Sequence, residues 1–267
     1  MNRLVLAAAV GLCGAGAAPA QDWAKARLEK SPRHGEWVKL KHGDREVQSF
    51  VVYPEVKDKA TAVIVVHEIF GLTDWVRLVA DQLAAAGYIA IAPDLLSGTG
   101  PKGGGTDSFG GEAVRKAIQT LPPDQITGDL TAATEYVAKL PACNGKVAVA
   151  GYCWGGGQAF RFAANTKAVK AAFVFYGAMS EKDQEAGVPN IACPVYGFYG
   201  GNDDRINATV PKTTEVMKAA GKTFEPVTYE GAGHGFLRAG DAPDASDANK
   251  KAKDEAWKRW TELLKKL

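Results

Sequence analysis

The sequence lacks most of the features that would assign it to a common functional class. Charge of one sign is missing: 32 Lys and Arg stand against 30 Asp and Glu, a formal net charge of +2. That balance offers no broad basic surface to nucleic acid or to an anionic membrane. After the first twenty residues no apolar run reaches the ~20 residues of a membrane span. The pair His67-Glu68 does not begin a zinc-binding H-E-x-x-H helix, because Gly71 stands where the second histidine would be. The glycine-rich stretch 97–111, SGTGPKGGGTDSFGG, lacks the Gly-Lys-Ser/Thr ending of a phosphate-cradling loop. It reads instead as a mobile loop over strand ends. There is no internal repeat. Neither a metal nor a cofactor is called for.

What is present begins with an export signal. Arg3 precedes an apolar run over 4–18, and Ala18-Pro19-Ala20 forms a small-x-small cleavage site before Gln21. Residues 1–20 are thus expected to be a cleaved signal peptide, and the mature protein to be secreted or bacterial periplasmic. Cys143, Cys153 and Cys193 remain after cleavage. In an oxidising compartment an odd count suggests one pair and one functional thiol. A Cys143–Cys193 disulfide is one option, opposed by the strand expected between them.

Residues 21–267 suit one α/β domain with a large core. Residues 21–35 are polar and mixed, an exposed lead-in. Residues 37–40 and 46–53 alternate apolar and polar around His42-Gly43-Asp44, as an antiparallel hairpin at a sheet edge does. Strands follow at 60–67, which is nearly continuously apolar, and at 88–92, 146–150, 171–176, 195–199 and 223–229, with helical patterns at 74–86, 112–120, 124–140, 157–164 and 211–220. An amphipathic helix over 249–264 closes the chain. Strand–helix alternation after one hairpin predicts a mostly parallel sheet of about eight strands, covered by helices on both faces.

The stretch Gly151-Tyr152-Cys153-Trp154-Gly155 follows a β-branched strand and precedes a helix. It is the G-x-S-x-G nucleophile elbow with Cys in place of Ser. The turn forces its central residue into strained backbone angles and sets it at a helix N-terminus, where the dipole favours thiolate. Cys153 is therefore the candidate nucleophile. Such a site needs a base and an orienting acid, which on this fold follow in the order acid, then His. His234 is the one histidine after Cys153. Asp203 and Asp204 compete for the acid; the Gly200-Gly201 turn favours Asp203.

Four stretches together resemble the dienelactone hydrolase family of α/β-hydrolases: His67-Glu68-Ile69-Phe70-Gly71, the Cys elbow, Gly200-Gly201-Asn202-Asp203, and Gly233-His234-Gly235-Phe236-Leu237-Arg238. The resemblance implies a Cys153-Asp203-His234 triad. It makes Glu68 the carboxylate that contacts and helps activate the thiol, and the Ile69 and Trp154 amides the oxyanion donors. Arg238 resembles an arginine that binds the substrate's carboxylate, and His67 and Tyr152 are assigned to the same pocket. One departure is that no second arginine follows Pro93-Asp94-Leu95, the loop beyond offering Lys102. The expected activity is hydrolysis of a small-molecule ester or lactone, by a monomer, through a thioester acyl-enzyme. The competing readings are a thioesterase or amide-cleaving enzyme of the same fold and a non-catalytic binding protein.

Overall fold

The computed structural model describes residues 21–267; the export signal expected at 1–20 lies outside the described residues. In chain order the elements are α1 (Asp22–Glu29), β1 (Gly35–His42), β2 (Arg45–Val52), β3 (Ala60–Val66), α2 (Asp74–Ala85), β4 (Ile89–Pro93), α3 (Glu112–Gln119), α4 (Pro123–Ala138) and β5 (Cys143–Tyr152). Then come α5 (Trp154–Asn165), β6 (Ala172–Phe175), α6 (Glu181–Gly187), β7 (Val195–Gly200), α7 (Asp204–Asn207), α8 (Val210–Ala219), β8 (Phe224–Tyr229), α9 (Phe236–Asp241) and α10 (Asp247–Leu264). One eight-stranded sheet has the order β1-β2-β4-β3-β5-β6-β7-β8. The β1–β2 and β2–β4 pairs are antiparallel, and every other pair is parallel. The expected α/β-hydrolase architecture is therefore present. Among the described residues no helix is long and apolar enough to cross a membrane.

The strand sequences explain the two-sided sheet. Every residue of β3 is buried, because successive side chains point to opposite faces and both faces are covered. Ile64, Val66, Val147 and Val149 join Leu130 and Val137 of α4 and Phe160 and Phe162 of α5 in one core. Val63, Val65, Ala148 and Ala150 join Trp75 and Val79 of α2 and Trp260 of α10 in the other. Each large side chain so buried contributes roughly 1.5–3 kcal/mol of transfer free energy.

This strand order brings the chemistry together. β5 lies between β3 and β6, with Val66 beside Gly151 and Tyr152 beside Phe175. Residues 67–69 and Tyr176 therefore flank Cys153. Gly200 pairs with Tyr229, so the loops leaving β7 and β8 run together.

Two expectations are corrected and one open option is closed. Residues 21–35 are not a bare lead-in: α1 packs on α2, Ala24 is fully buried, and Gln21 Oε1 accepts from the Trp75 amide at 2.9 Å. Helix α1 lacks an amphipathic repeat; tertiary contacts hold it. The 97–111 stretch is tied down, since Asp94 accepts from the Thr106 amide and hydroxyl, both at 2.7 Å, and Thr106 Oγ1 accepts from the Leu72 amide at 3.0 Å. It forms two short 3-10 turns, Pro101–Gly103 and Thr106–Ser108. Cys143 and Cys193 are free thiols, and β6 lies between β5, which Cys143 begins, and β7, which Cys193 precedes.

Candidate active site

The elbow has the backbone its sequence demands. Cys153 sits at φ 55°, ψ −119°, between the last residue of β5 and the first of α5. A left-handed φ on a non-glycine residue stores strain and persists only where its surroundings enforce it. Those surroundings are close: a Cβ on Gly151 would run into the Gly155 carbonyl, and one on Gly155 into the carbonyls of Val66 and His67. Helix α5 starts at Trp154, three residues earlier than its apolar pattern suggests, so Cys153 is the N-cap itself.

The amides of Trp154 and Ile69 lie close enough to the Cys153 sulfur to favour its charged form. They are the pair expected as oxyanion donors. Their favourable effect is outweighed, however. Burial and then the charge of Glu68 push the thiol up to about 11, against the Trp154 and Ile69 amides and Arg205. The expectation of a resting thiolate is thus corrected. A helix N-terminus supplies only a partial charge, while desolvation beside a carboxylate penalises the full charge on sulfur.

Glu68 is 2% exposed, and its Oε2 accepts from Arg238 Nε at 2.8 Å. Burial raises its carboxyl, opposed by the charges of Arg238 and His234. Arg238 also lies over the Phe70 ring, 5.6 Å from guanidinium carbon to centroid. The arginine expected to meet a substrate carboxylate therefore already holds an internal one.

His234 follows β8 and its Nδ1 donates to Asp203 Oδ2 at 2.5 Å. Asp203 is buried after β7, where its side chain also caps α7. Asp204 is exposed as the first residue of that helix.

His67 and Tyr152 are not placed where a substrate would touch them. His67 is fully buried, with Nδ1 2.8 Å from the Glu68 carbonyl and Nε2 3.3 Å from the Leu95 amide. A carbonyl only accepts and an amide only donates, so Nδ1 carries the proton and the ring is neutral. Burial holds its pKa below the usual histidine range. The ring stacks on Trp154 at 5.6 Å and 17°, bracing the turn that carries one oxyanion amide. Tyr152 is fully buried among Trp75, Phe175 and Trp260. The reason is the two-residue period: Cys153 leaves the strand while Tyr152, its last member, turns into the core.

One residue of the site has no motif to announce it. Tyr176, just past β6, has φ 39° and is fully buried. Its ring meets His234 edge-on at 5.2 Å, and its hydroxyl has no partner. Strain and an orphaned polar atom beside the histidine mark it as part of the site. The only sequence signal is its place directly after a strand that neighbours β5. Among the described residues no group of three or more His, Cys, Asp or Glu side chains could hold a metal ion.

Comparison with known proteins finds relatives of this chain. A protein of Methylorubrum extorquens is 32% identical over 208 residues, covering 74% of this chain and 71% of its own length. The carboxymethylenebutenolidase of Pseudomonas putida is 31% identical over 208 residues, covering 76% of this chain and 86% of its own. The crystal structure of the dienelactone hydrolase of Anabaena variabilis shares the fold at a TM-score of 0.62 with 19% identity, covering 84% of this chain and 95% of its own. A Klebsiella pneumoniae structure superposes at 0.78 with 24% identity, covering 88% and 99%. The dienelactone hydrolase family model matches residues 47–267, from β2 through the elbow, the Asp203 turn and His234 to the C-terminus, and the chain belongs to that family of hydrolases.

Proposed function

We propose that the protein hydrolyses carboxylic esters or lactones through a thioester on Cys153. The observation that carries this is Cys153 at the strained N-cap of α5, with the Ile69 and Trp154 amides near enough to its sulfur to favour an anion. Glu68, its carboxyl raised by burial, takes the thiol proton as the S–C bond forms. A substrate carboxylate that engages Arg238 loosens its hold on Glu68 and so favours that transfer. The carbonyl electron pair moves to oxygen, held by the two amides. His234, oriented by Asp203, protonates the departing alkoxide, then takes a proton from water as it attacks the thioester; the thiolate leaves and recovers its proton from Glu68. A thiolate expels alkoxides poorly, so enol lactones and aryl esters are the favoured substrates. The export read from residues 1–20 belongs to the proposal, and N-terminal sequencing of the mature protein checks it.

The test is a screen of p-nitrophenyl esters and simple lactones with the wild type beside Cys153→Ala. Turnover lost in the variant with the melting temperature kept supports the reading. Undiminished turnover removes Cys153 as nucleophile. A preference for thioesters or amides over matched esters moves the substrate class.

A further inference from the structure

A cavity of about 650 Å³ opens beside Arg238, between the start of α1, the end of α9 and the start of α10, with Gln21, Trp23, Ala242, Pro243 and Asn249 in its lining. Its size falls within the ~300–1,000 Å³ of small-molecule sites. Arg238 belongs both to this cavity and to the ion pair with Glu68, so the cavity reaches one partner of that pair. Its outer wall is the helix that precedes the family-matched region, which begins at residue 47. That wall is held firmly. Asp241 accepts from Trp75 Nε1 at 3.2 Å and pairs with Arg27 of α1 at 3.4 Å, and Ala24 anchors the helix in the core.

The polar part of the lining holds the Asp244 carboxylate and Ser246 beside the amides of Gln21 and Asn249. Gln21 Oε1 is taken by the Trp75 amide, while its Nε2 is buried with no partner. Asn249 Oδ1 is taken by the Gly233 amide, leaving its NH₂ to offer. Trp23 and Pro243 supply flat apolar surface, against which a planar ring packs well.

We infer that this cavity is a substrate subsite that takes a flat aromatic group, carried by the ester beyond the bond that is cleaved. The inference rests on hydrolysis at Cys153 for its role but not for its binding. Helix α1 thereby sets specificity from outside the part of the chain that the family shares.

The test compares methylumbelliferyl acetate, a fused aromatic ester, with trifluoroethyl acetate, an activated ester without a ring. Trp23→Ala should raise KM for the first by about fivefold, the worth of one aromatic contact, and leave the second unchanged. Ala242→Phe, which fills the cavity, should do the same, and melting curves verify that both variants fold. Binding of free methylumbelliferone to the Cys153→Ala protein, followed by fluorescence polarisation, needs no turnover; both cavity substitutions should weaken it in that background. Equal KM changes for the two esters, or no umbelliferone binding to Cys153→Ala, would overturn the subsite. If umbelliferone binds and Cys153→Ala still hydrolyses both esters, the nucleophile is wrong and the subsite stands.

Discussion

Replacing Glu68 by Gln should move thiol reactivity and catalysis in opposite directions. With the Cys153 thiol pushed up to about 11 by burial and by Glu68, the thiolate fraction near neutral pH is on the order of 10⁻⁴. Gln keeps an oxygen to accept from Arg238 Nε, now 2.8 Å from the carboxylate, but removes the negative charge and leaves the guanidinium uncompensated. One charge lost at a partly desolvated site is worth roughly 2 kcal/mol at an effective dielectric of ~20, or about 1.5 pKa units. The thiol pKa falls, so thiolate near neutrality rises about thirtyfold. Intrinsic nucleophilicity drops with basicity by about fivefold, and alkylation should therefore be about sixfold faster. Ester turnover should instead fall by about a hundredfold or more, because the base that takes the thiol proton is gone. The assay is the second-order rate of iodoacetamide labelling by intact mass, beside kcat/KM on p-nitrophenyl acetate. In the wild type the raised thiol predicts labelling that climbs about tenfold per pH unit with no plateau at the ordinary cysteine value of about 8.5. Slower labelling of Glu68→Gln, or turnover equal to wild type, refutes the reasoning.

Asp203→Asn, which removes the partner of His234, should cost on the order of 10² in kcat/KM, less than in a serine site because a thiol ionises more readily. Asp204→Asn, at an exposed position, should cost under about threefold, in keeping with solvated surface charges; steady-state kinetics on one ester ranks the two. Tyr176→Phe removes a buried hydroxyl with no partner, so the melting temperature should hold or rise, while kcat/KM drops by about tenfold through loss of one donor at the site; a lowered melting temperature with unchanged kinetics would make the hydroxyl structural. Substrates carrying a carboxylate near the scissile bond should beat their methyl esters by about tenfold, the worth of one charge-assisted contact. That preference should vanish in Arg238→Gln and shrink with salt, as kcat/KM ratios on matched pairs will report.

Local pattern carried the framework. The unbroken apolar run of β3, the hairpin around Gly43, and the Pro122-Pro123 break between α3 and α4 each depend on a few consecutive residues, and each lies where the sequence puts it. The strained φ of Cys153 is legible for the same reason: glycines two before and two after it are a local requirement. Asp203 was favoured over Asp204 from the turn before it, and burial separates the two. What only the tertiary structure decided are quantities that depend on groups far apart in the chain. Burial and then the charge of Glu68, 85 residues earlier, push the Cys153 thiol up. Arg238 is engaged because the same carboxylate reaches it. His67 and Tyr152 face inward because backbone groups and aromatic neighbours from other elements enclose them. Helix α1 has no pattern of its own and exists through α2 and Asp241. Residue type and period are written along the chain, whereas desolvation and charge pairing are properties of distance in space, which only the packed sheet and its helices set.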